Sequence, residues 1–234
     1  MPFNLYFFIF SAKSAVILIL MSRLKGKIMK VYRPLPIDEE IKLNPKKIIV
    51  SKTDRKGNIL YVNDYFCEVT GYEPNEVIGV PHNIIRHPDM PRAVFYLMWK
   101  TIQSGGNITA VVKNLAKSGK YYWVTTDFEN HRDLNGNIDS YIAFRRPAPR
   151  RVVEEMEELY AVMLDIEKEH GMKASLIYLQ GFLDERHTNY NDYISNLIKP
   201  KSLMEKFFGL MKGSFLNSHV KESANYSGDY KKAV

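Results

Sequence analysis

Apolar residues in the first part of the chain occur in short runs that turn residues separate. Runs over 48–50 and 59–62 flank the turn residues of 54–58, a pattern that predicts a β-hairpin. Three longer runs follow at 108–115, 121–130 and 138–146. Turn residues separate these runs too, and the second turn contains the pair Asn135-Gly136, which favours a tight hairpin. The pattern therefore predicts five strands, in groups of two and three.

Helical patterns lie between the two groups of strands. Asn63 and Asp64 are typical of a helix start, and Gly71 is placed to end that helix. The segment 74–91 is predicted to be short-helical, because prolines at 81, 88 and 91 interrupt it. Asp89 is predicted to cap the next helix. Its apolar residues recur at i, i+4 and i+8: Val94, Met98 and Ile102.

Longer helices are predicted after residue 149. The first of them carries an apolar stripe whose spacing is typical of a coiled coil, over about two heptads: Val152, Met156, Leu159, Met163 and Ile166. We expect this stripe to pack against a second copy of the chain or a partner helix. His170-Gly171 is predicted to end this helix, and residues 173–186 are predicted to form a second amphipathic helix.

Two other segments have weaker patterns. The segment 34–41 is predicted to be extended with one short helical turn, and residues 188–234 are predicted to form a poorly structured basic tail.

The net charge of +7 becomes less informative once it is divided along the chain. Residues 1–30 carry +5 and residues 199–234 carry +4, which leaves −2 for residues 31–198. A nucleic-acid-binding domain is expected to carry its basic surface on the folded part, so we expect no nucleic-acid partner. The single cysteine, Cys67, excludes an internal disulfide and a cysteine-based metal site. It fits a reducing cytoplasm.

Residues 1–30 combine two apolar runs with basic residues. Lys13 divides the runs, and neither approaches the ~20 residues that a membrane-spanning helix needs. No small-residue cleavage site follows, as a secretory signal would require. We expect either a membrane-associated segment or a start assigned too early, with translation beginning at Met29, and favour the second.

The segment most informative about function is 82–91, which combines two histidines, an arginine, an asparagine and an aspartate in the sequence His-Asn-Ile-Ile-Arg-His-Pro-Asp-Met-Pro. Its two histidines are five residues apart, so they lack the spacing of paired ligands on one helical turn, and no third ligand is nearby. We therefore predict no metal site. Haem ligation by His87 remains an alternative, although the surrounding sequence is polar. No glycine-rich phosphate loop, nucleophile elbow or paired-carboxylate arrangement is apparent, so we predict no enzymatic activity, no catalytic residue and no small-molecule substrate.

These residues resemble the PAS sensor domain of bacterial aerotaxis transducers. The resemblance covers about residues 45–146, and its most specific part is the string from Ile85 to Pro91. It implies an α+β PAS fold, in which a five-stranded antiparallel sheet carries short helices over one face and a C-terminal helical extension follows. The implied organisation is a terminal extension at 1–30, a PAS domain at 31–146, amphipathic signalling helices at 147–187 and a tail at 188–234.

In that family the fold holds FAD, and the resemblance implies FAD here. Positions associated with keeping FAD bound correspond to Asn63, Arg86, His87, Asp89 and Trp99. Asn83 and Asn114 add amides in regions predicted to face inward, which suits the polar edge of a flavin. Other roles stay open: Trp99 as core, Asn63 as a helix cap, and the Arg86–His87–Asp89 group as a loop corner. Ile108 and Leu115-Ala116 depart from the family's pattern.

The chain as a whole resembles the CetB-like cytoplasmic PAS proteins of energy taxis. This resemblance implies a redox sensor that works with a membrane-bound, methyl-accepting-type transducer, which recruits it to the inner face of the membrane. We also expect a homodimer. Two alternatives remain open, a cofactor-free PAS interaction module and a haem-based gas sensor.

Overall fold

The computed structural model describes residues 33–199. These residues form two compact units that divide between Phe182 and Leu183. The first unit contains all five strands and most of the helices, including everything discussed below as a site. The expectations for 1–30 and for 200–234 lie outside the described residues.

A five-stranded antiparallel sheet forms the centre of the first unit. Its strands are β1 (Ile49–Asp54), β2 (Ile59–Val62), β3 (Ile108–Leu115), β4 (Tyr121–Arg132) and β5 (Ile138–Pro147), in the spatial order β2-β1-β5-β4-β3. Because side chains alternate between the two faces of a strand, one face of the sheet presents Ser51, Val112, Asn114, Ala143 and Arg145. Short helices cover this face. The predicted fold class is confirmed.

The covering helices begin and end where local chemistry allows. Helix α1 (Asp64–Thr70) is capped by Asn63, which accepts a hydrogen bond from the Phe66 amide, and ends at Gly71, as predicted. Helix α2 (Pro74–Val77) and a 3₁₀ turn (His82–Ile85) follow. Helix α3 (Arg92–Gln103) begins after Pro91 and takes no cap from it.

The predicted helix cap by Asp89 is wrong. Pro91 lies at the capping position of α3, and the Asp89 carboxylate instead pairs with Lys113, with an Nζ–Oδ2 distance of 2.8 Å. The helical turn expected within 34–41 is also absent. This segment is extended and pairs with the start of β4, since Ile41 N donates to the Tyr121 carbonyl at 2.7 Å.

Helix α4 (Arg150–Asp184) is broken at Gly171, where the backbone leaves the helical conformation, as the sequence predicted. Its apolar stripe packs on its own domain, so the expectation that a partner covers it is wrong. Val152, Met156 and Met163 are fully buried within the single chain. The Tyr160 ring stacks on Trp123 and its hydroxyl donates to the Val111 carbonyl at 2.8 Å. Val111 and Trp123 lie on the sheet face opposite Val112 and Asn114.

The second unit contains helix α5 (Tyr190–Ile198), which Asn189 caps by accepting from the Asp192 amide at 3.0 Å. The expectation of a poorly structured segment from residue 188 is therefore wrong for this helix. Within residues 33–199, no helix has the length and apolar character that crossing a bilayer requires.

Candidate functional site

A cavity of about 210 Å³ lies between the covered face of the sheet and the segment from the 3₁₀ turn to α3. An engineered apolar cavity of roughly 150 Å³ is enough to bind benzene, so this one has room for an aromatic ring. Part of its lining is apolar and comes from α3 and the sheet, and part is polar and includes Ser51, His82 and Arg145.

The apolar wall is mainly aromatic. It is formed by Phe95, Met98, Trp99, Ile102, Phe128 and Tyr141. Trp99 and Tyr141 meet edge to face, with ring centroids 5.6 Å apart. Gly57, in the turn between β1 and β2, lies directly against the Trp99 ring, since a Cβ at that position would be 2.9 Å from it. Its φ of +88° also disfavours any other residue. The turn therefore fixes Trp99 as a wall of the cavity.

The polar wall contains a buried guanidinium. Arg145 on β5 is 3% exposed, donating to Ser51 Oγ at 2.9 Å and contacting His82 Nε2 at 2.9 Å. Within residues 33–199, no carboxylate forms an ion pair with Arg145. Burial lowers the pKa of Arg145 to about 10, so it keeps its charge at neutral pH. A buried cation without a counterion is costly, and an anionic or strongly accepting ligand would relieve that cost.

His82 is held neutral beside this cation. Burial and the neighbouring Arg145 both lower the pKa of His82 well below its usual value. Because Nε2 faces the donating guanidinium, it must act as acceptor, which leaves the ring proton on Nδ1. The Ser51 hydroxyl lies 3.0 Å from the same nitrogen. Ser51, His82 and Arg145 thus form one connected group, hereafter the Arg145 cluster.

Two further polar atoms of the cavity wall lack a normal hydrogen bond to any described residue. They are Asn114 Nδ2 and Thr126 Oγ1, each on a side chain that is at most 3% exposed. The Asn114 side chain also interacts with the Tyr122 hydroxyl. Buried donors of this kind are normally satisfied by water or ligand. The cavity therefore offers a charged donor and unsatisfied polar groups beside a flat aromatic wall.

Four of the seven predicted site residues line this cavity: Asn83, Arg86, Trp99 and Asn114. Arg86 lies over the Phe95 ring and donates to the Met90 carbonyl at 2.6 Å. Burial lowers the pKa of Arg86. The role of these four residues in binding FAD stays a prediction.

The other three predicted residues do not line the cavity. Asn63 accepts from the Phe66 and Val50 amides, both at 3.0 Å, and so joins α1 to β1. His87 is 3% exposed and accepts at Nδ1 from the Asp89 amide at 3.2 Å. Burial, with a smaller contribution from Lys113, lowers the pKa of His87 to about 4. Asp89 and Lys113 complete a hydrogen-bonded corner. The loop-corner alternative for Arg86, His87 and Asp89 thus fits His87 and Asp89, whereas Arg86 lines the cavity.

This placement of His87 removes the arrangement on which the haem alternative depended. A haem ligand must face the cavity, and His87 is absent from its lining. The histidine that does line it, His82, has its Nε2 engaged by Arg145. Among the described residues, no group of histidine, cysteine and carboxylate side chains is arranged to hold a metal ion.

Several known proteins are similar to parts of this chain. Residues 59–145 match a family model described as the PAS fold. Over 135 residues the chain is 34% identical to the aerotaxis receptor of Escherichia coli, which covers 58% of this chain and 26% of the receptor. Over 109 residues it is 28% identical to the bacterioopsin transcriptional activator of Halobacterium salinarum, covering 47% of this chain and 16% of that protein.

A solved structure with a similar fold is the light state of the blue-light photoreceptor Aureochrome1 LOV, with a TM-score of 0.41 and 22% identity over 50% of this chain and 91% of that one. Residues 59–145 have the PAS fold, and 135 residues of the chain are similar to part of the aerotaxis receptor. The chain spans about a quarter of the receptor's length and about a sixth of the activator's.

Proposed function

We propose that this PAS domain is a redox sensor of the energy-taxis type, and that it holds FAD in the cavity between the sheet and α3. The observation that carries the proposal is the Arg145 cluster. It places a buried cation without a carboxylate partner among the described residues in the same cavity as several aromatic side chains and Asn114, whose amide nitrogen lacks a hydrogen bond. Few ligands match all three features at once.

An isoalloxazine ring is such a ligand. Its faces are flat and apolar, which suits Trp99 and its aromatic neighbours, and one edge carries acceptors and donors, which suits Asn114 and Arg145. When bound, the ring supplies reversible one- and two-electron chemistry and gains negative charge on reduction. The guanidinium of Arg145 would hold that edge and stabilise negative charge on it.

The choice of FAD over a smaller flavin rests on the residues beyond the ring site. Arg86 and the exposed Lys56 also line the cavity, and both carry positive charge suited to phosphate groups. The resemblance to aerotaxis transducers, whose PAS domain holds FAD, implies the same choice. The neutral His82 keeps the proton on Nδ1, so the cluster presents only one formal charge to the ligand.

The biological role follows by analogy. We propose a cytoplasmic sensor without catalytic activity of its own, similar to the CetB-like proteins, acting as a homodimer that signals to a membrane-bound, methyl-accepting-type transducer. The packing of α4 on the sheet gives the domain a route to an output helix.

The test is the absorption spectrum and extracted cofactor of the purified protein. We expect a yellow protein whose denatured supernatant contains FAD by chromatography, in a ratio near one per chain. A colourless protein that takes up no added FAD would leave the cofactor-free interaction module, and a Soret band would instead establish the haem sensor. FMN in the extract would keep the sensor and refute the proposed role of Arg86 and Lys56.

A further inference from the structure

The first turn of α3 obtains its cap from a distant part of the chain. Pro91 contributes no side-chain cap and the turn contains no acidic residue. The exposed amides are instead taken by the Glu167 carboxylate on α4, which accepts from Arg92 N at 2.9 Å and from Ala93 N at 2.7 Å. A carboxylate in this position satisfies two orphan donors and lies at the positive end of the helix dipole.

Helix α3 is also the helix that forms the apolar wall of the cavity. Phe95, Met98 and Trp99 follow Ala93 within two turns. A shift of this wall therefore moves the amides that Glu167 binds. The contact joins the cavity to α4 through one rigid element.

The part of α4 that carries Glu167 meets the domain through partly buried and charged side chains, with Glu167 near Arg86 and Lys168 near Asp89. Up to Met163 the helix is anchored by fully buried side chains, but none of residues 164–170, hereafter the arm, is fully buried. Within the arm, Lys168 pairs with Asp165, and the His170 ring lies 3.6 Å from the Glu169 carboxylate. The arm ends at Gly171, whose φ of 80° and ψ of 170° interrupt the helix in open space.

We propose that Glu167 is a latch that couples the cavity wall to the arm. When α3 is in its present position, both carboxylate oxygens are engaged and the arm is held on the domain. When α3 shifts, the two hydrogen bonds are lost together and the arm is released, with the break in the helix at Gly171 as the point about which it moves. The latch needs no ligand to exist; only its use in signalling rests on the proposed function.

Hydrogen–deuterium exchange of the intact chain tests the latch itself. Glu167→Ala should raise amide exchange about 3–30-fold both in residues 92–95 and in the arm, as expected for the loss of a helix cap. Glu167→Gln should give a smaller increase, because one amide oxygen replaces a charged pair of acceptors. Glu158→Ala, an exposed change on the same helix, is the control and should alter neither segment. An increase confined to 92–95, or no increase, overturns the latch.

Coupling is tested by loosening α3 from the cavity side. Met98→Ala should raise exchange of the arm in the wild-type background and add nothing in the Glu167→Ala background. If Met98→Ala does not fold, Ile102→Val makes the same test with a smaller cavity. An equal effect in both backgrounds means that the signal bypasses Glu167, and an unchanged arm means that α3 does not communicate with it; either result overturns the proposal.

Adding FAD separates this inference from the proposed function. If FAD binds, it should change exchange of the arm in the wild type and not in Glu167→Ala, and an arm that responds equally in both overturns the latch as a signalling device. If FAD does not bind, the proposed function fails, while the latch is judged by the variants alone.

Discussion

His82 and His87 lie five residues apart in the same segment, and both are neutral because burial lowers their pKa. Their contacts nevertheless differ. His82 lines the cavity and contacts the guanidinium of Arg145, whereas His87 lies outside it and binds the backbone of Asp89. The first histidine belongs to a surface that can meet a ligand. The second belongs to the corner that holds the loop in place.

This difference gives the loop two separable functions. A change near His82 should alter what the cavity binds, and a change near His87 should alter how firmly the loop is folded. Both kinds of change would reduce the amount of cofactor that a purified protein retains, because an unfolded loop cannot form a wall. Measurements of folding and of affinity must therefore be made separately.

The first prediction is a loss of stability in acid, the largest effect expected from the two histidines. The pKa of His87 is about 4 in the folded state against 6.5 unfolded, so between these values the unfolded chain takes up a proton that the folded chain does not. The free energy of unfolding should thus fall by about 2–3 kcal/mol as the pH drops from about 6.5 to about 4. Urea unfolding at a series of pH values measures this. In His87→Gln the fall should be smaller by this amount, while the buried neutral His82 still contributes its own part over the same window; a curve parallel to that of the wild type would show that His87 is not the buried neutral group described here.

The second prediction concerns Arg145, on the cavity side of the comparison. Arg145→Met should weaken flavin binding by about 10–100-fold, since hydrogen bonds to charged groups contribute roughly 1.5–3 kcal/mol. The protein without cofactor should be no less stable, because the change removes an unpaired buried charge and keeps similar volume.

Arg146→Met is the matched control. Arg146 is the next residue on β5, and its half-exposed side chain pairs with Asp127 on the other face of the sheet. Flavin titration by fluorescence should give the wild-type affinity for this variant. Equal losses in Arg145→Met and Arg146→Met would mean that charge in general, rather than the cavity cation, holds the ligand.

The fold was accessible from the sequence because its signals are local. The alternating runs located the strands, and Asn63 and Gly71 marked the ends of α1 by their own chemistry. Arg145 was missed because a basic residue near the end of a strand is normally exposed. The alternation of Tyr141, Ala143 and Arg145 was the available signal, since it places all three on one face.

Other features depend on contacts that no local pattern contains. The cap of α3 comes from Glu167, 75 residues away from Arg92, so the nearby Asp89 was the natural but wrong choice. The stripe on α4 correctly indicated a buried face, but its period says nothing about which surface covers it. The resemblance to aerotaxis transducers named His87 and Asp89 without distinguishing direct contact with a ligand from support of the fold.

The third prediction extends the comparison to the two tryptophans. Trp99 is half-buried in the cavity wall, whereas Trp123 is 4% exposed and stacks on Tyr160 across the sheet. Trp99→Ala should weaken flavin binding about 3–10-fold through lost ring contact, with a modest effect on unfolding. Trp123→Ala should do the reverse, destabilising the domain by about 3–5 kcal/mol while the folded fraction binds normally. Thermal melts without cofactor and flavin titrations of each variant measure the two effects. A large loss of stability in Trp99→Ala would show that Trp99 is a core residue rather than part of the ligand site.

The smallest effect is expected at Asp89, and it sharpens the comparison most. The side chain of Asp89 is 58% exposed, and its strongest contact is the 2.8 Å pair with Lys113, an interaction type that contributes about 0.2–1 kcal/mol. Asp89→Asn keeps the shape of the side chain and removes the charge, so the free energy of unfolding should fall by no more than that amount. Affinity for FAD should be unchanged when titrated at a temperature where the variant is fully folded, even if less cofactor survives purification. If affinity falls tenfold in the folded variant, Asp89 acts on the ligand directly, and the division of this loop into a binding half and a supporting half is wrong.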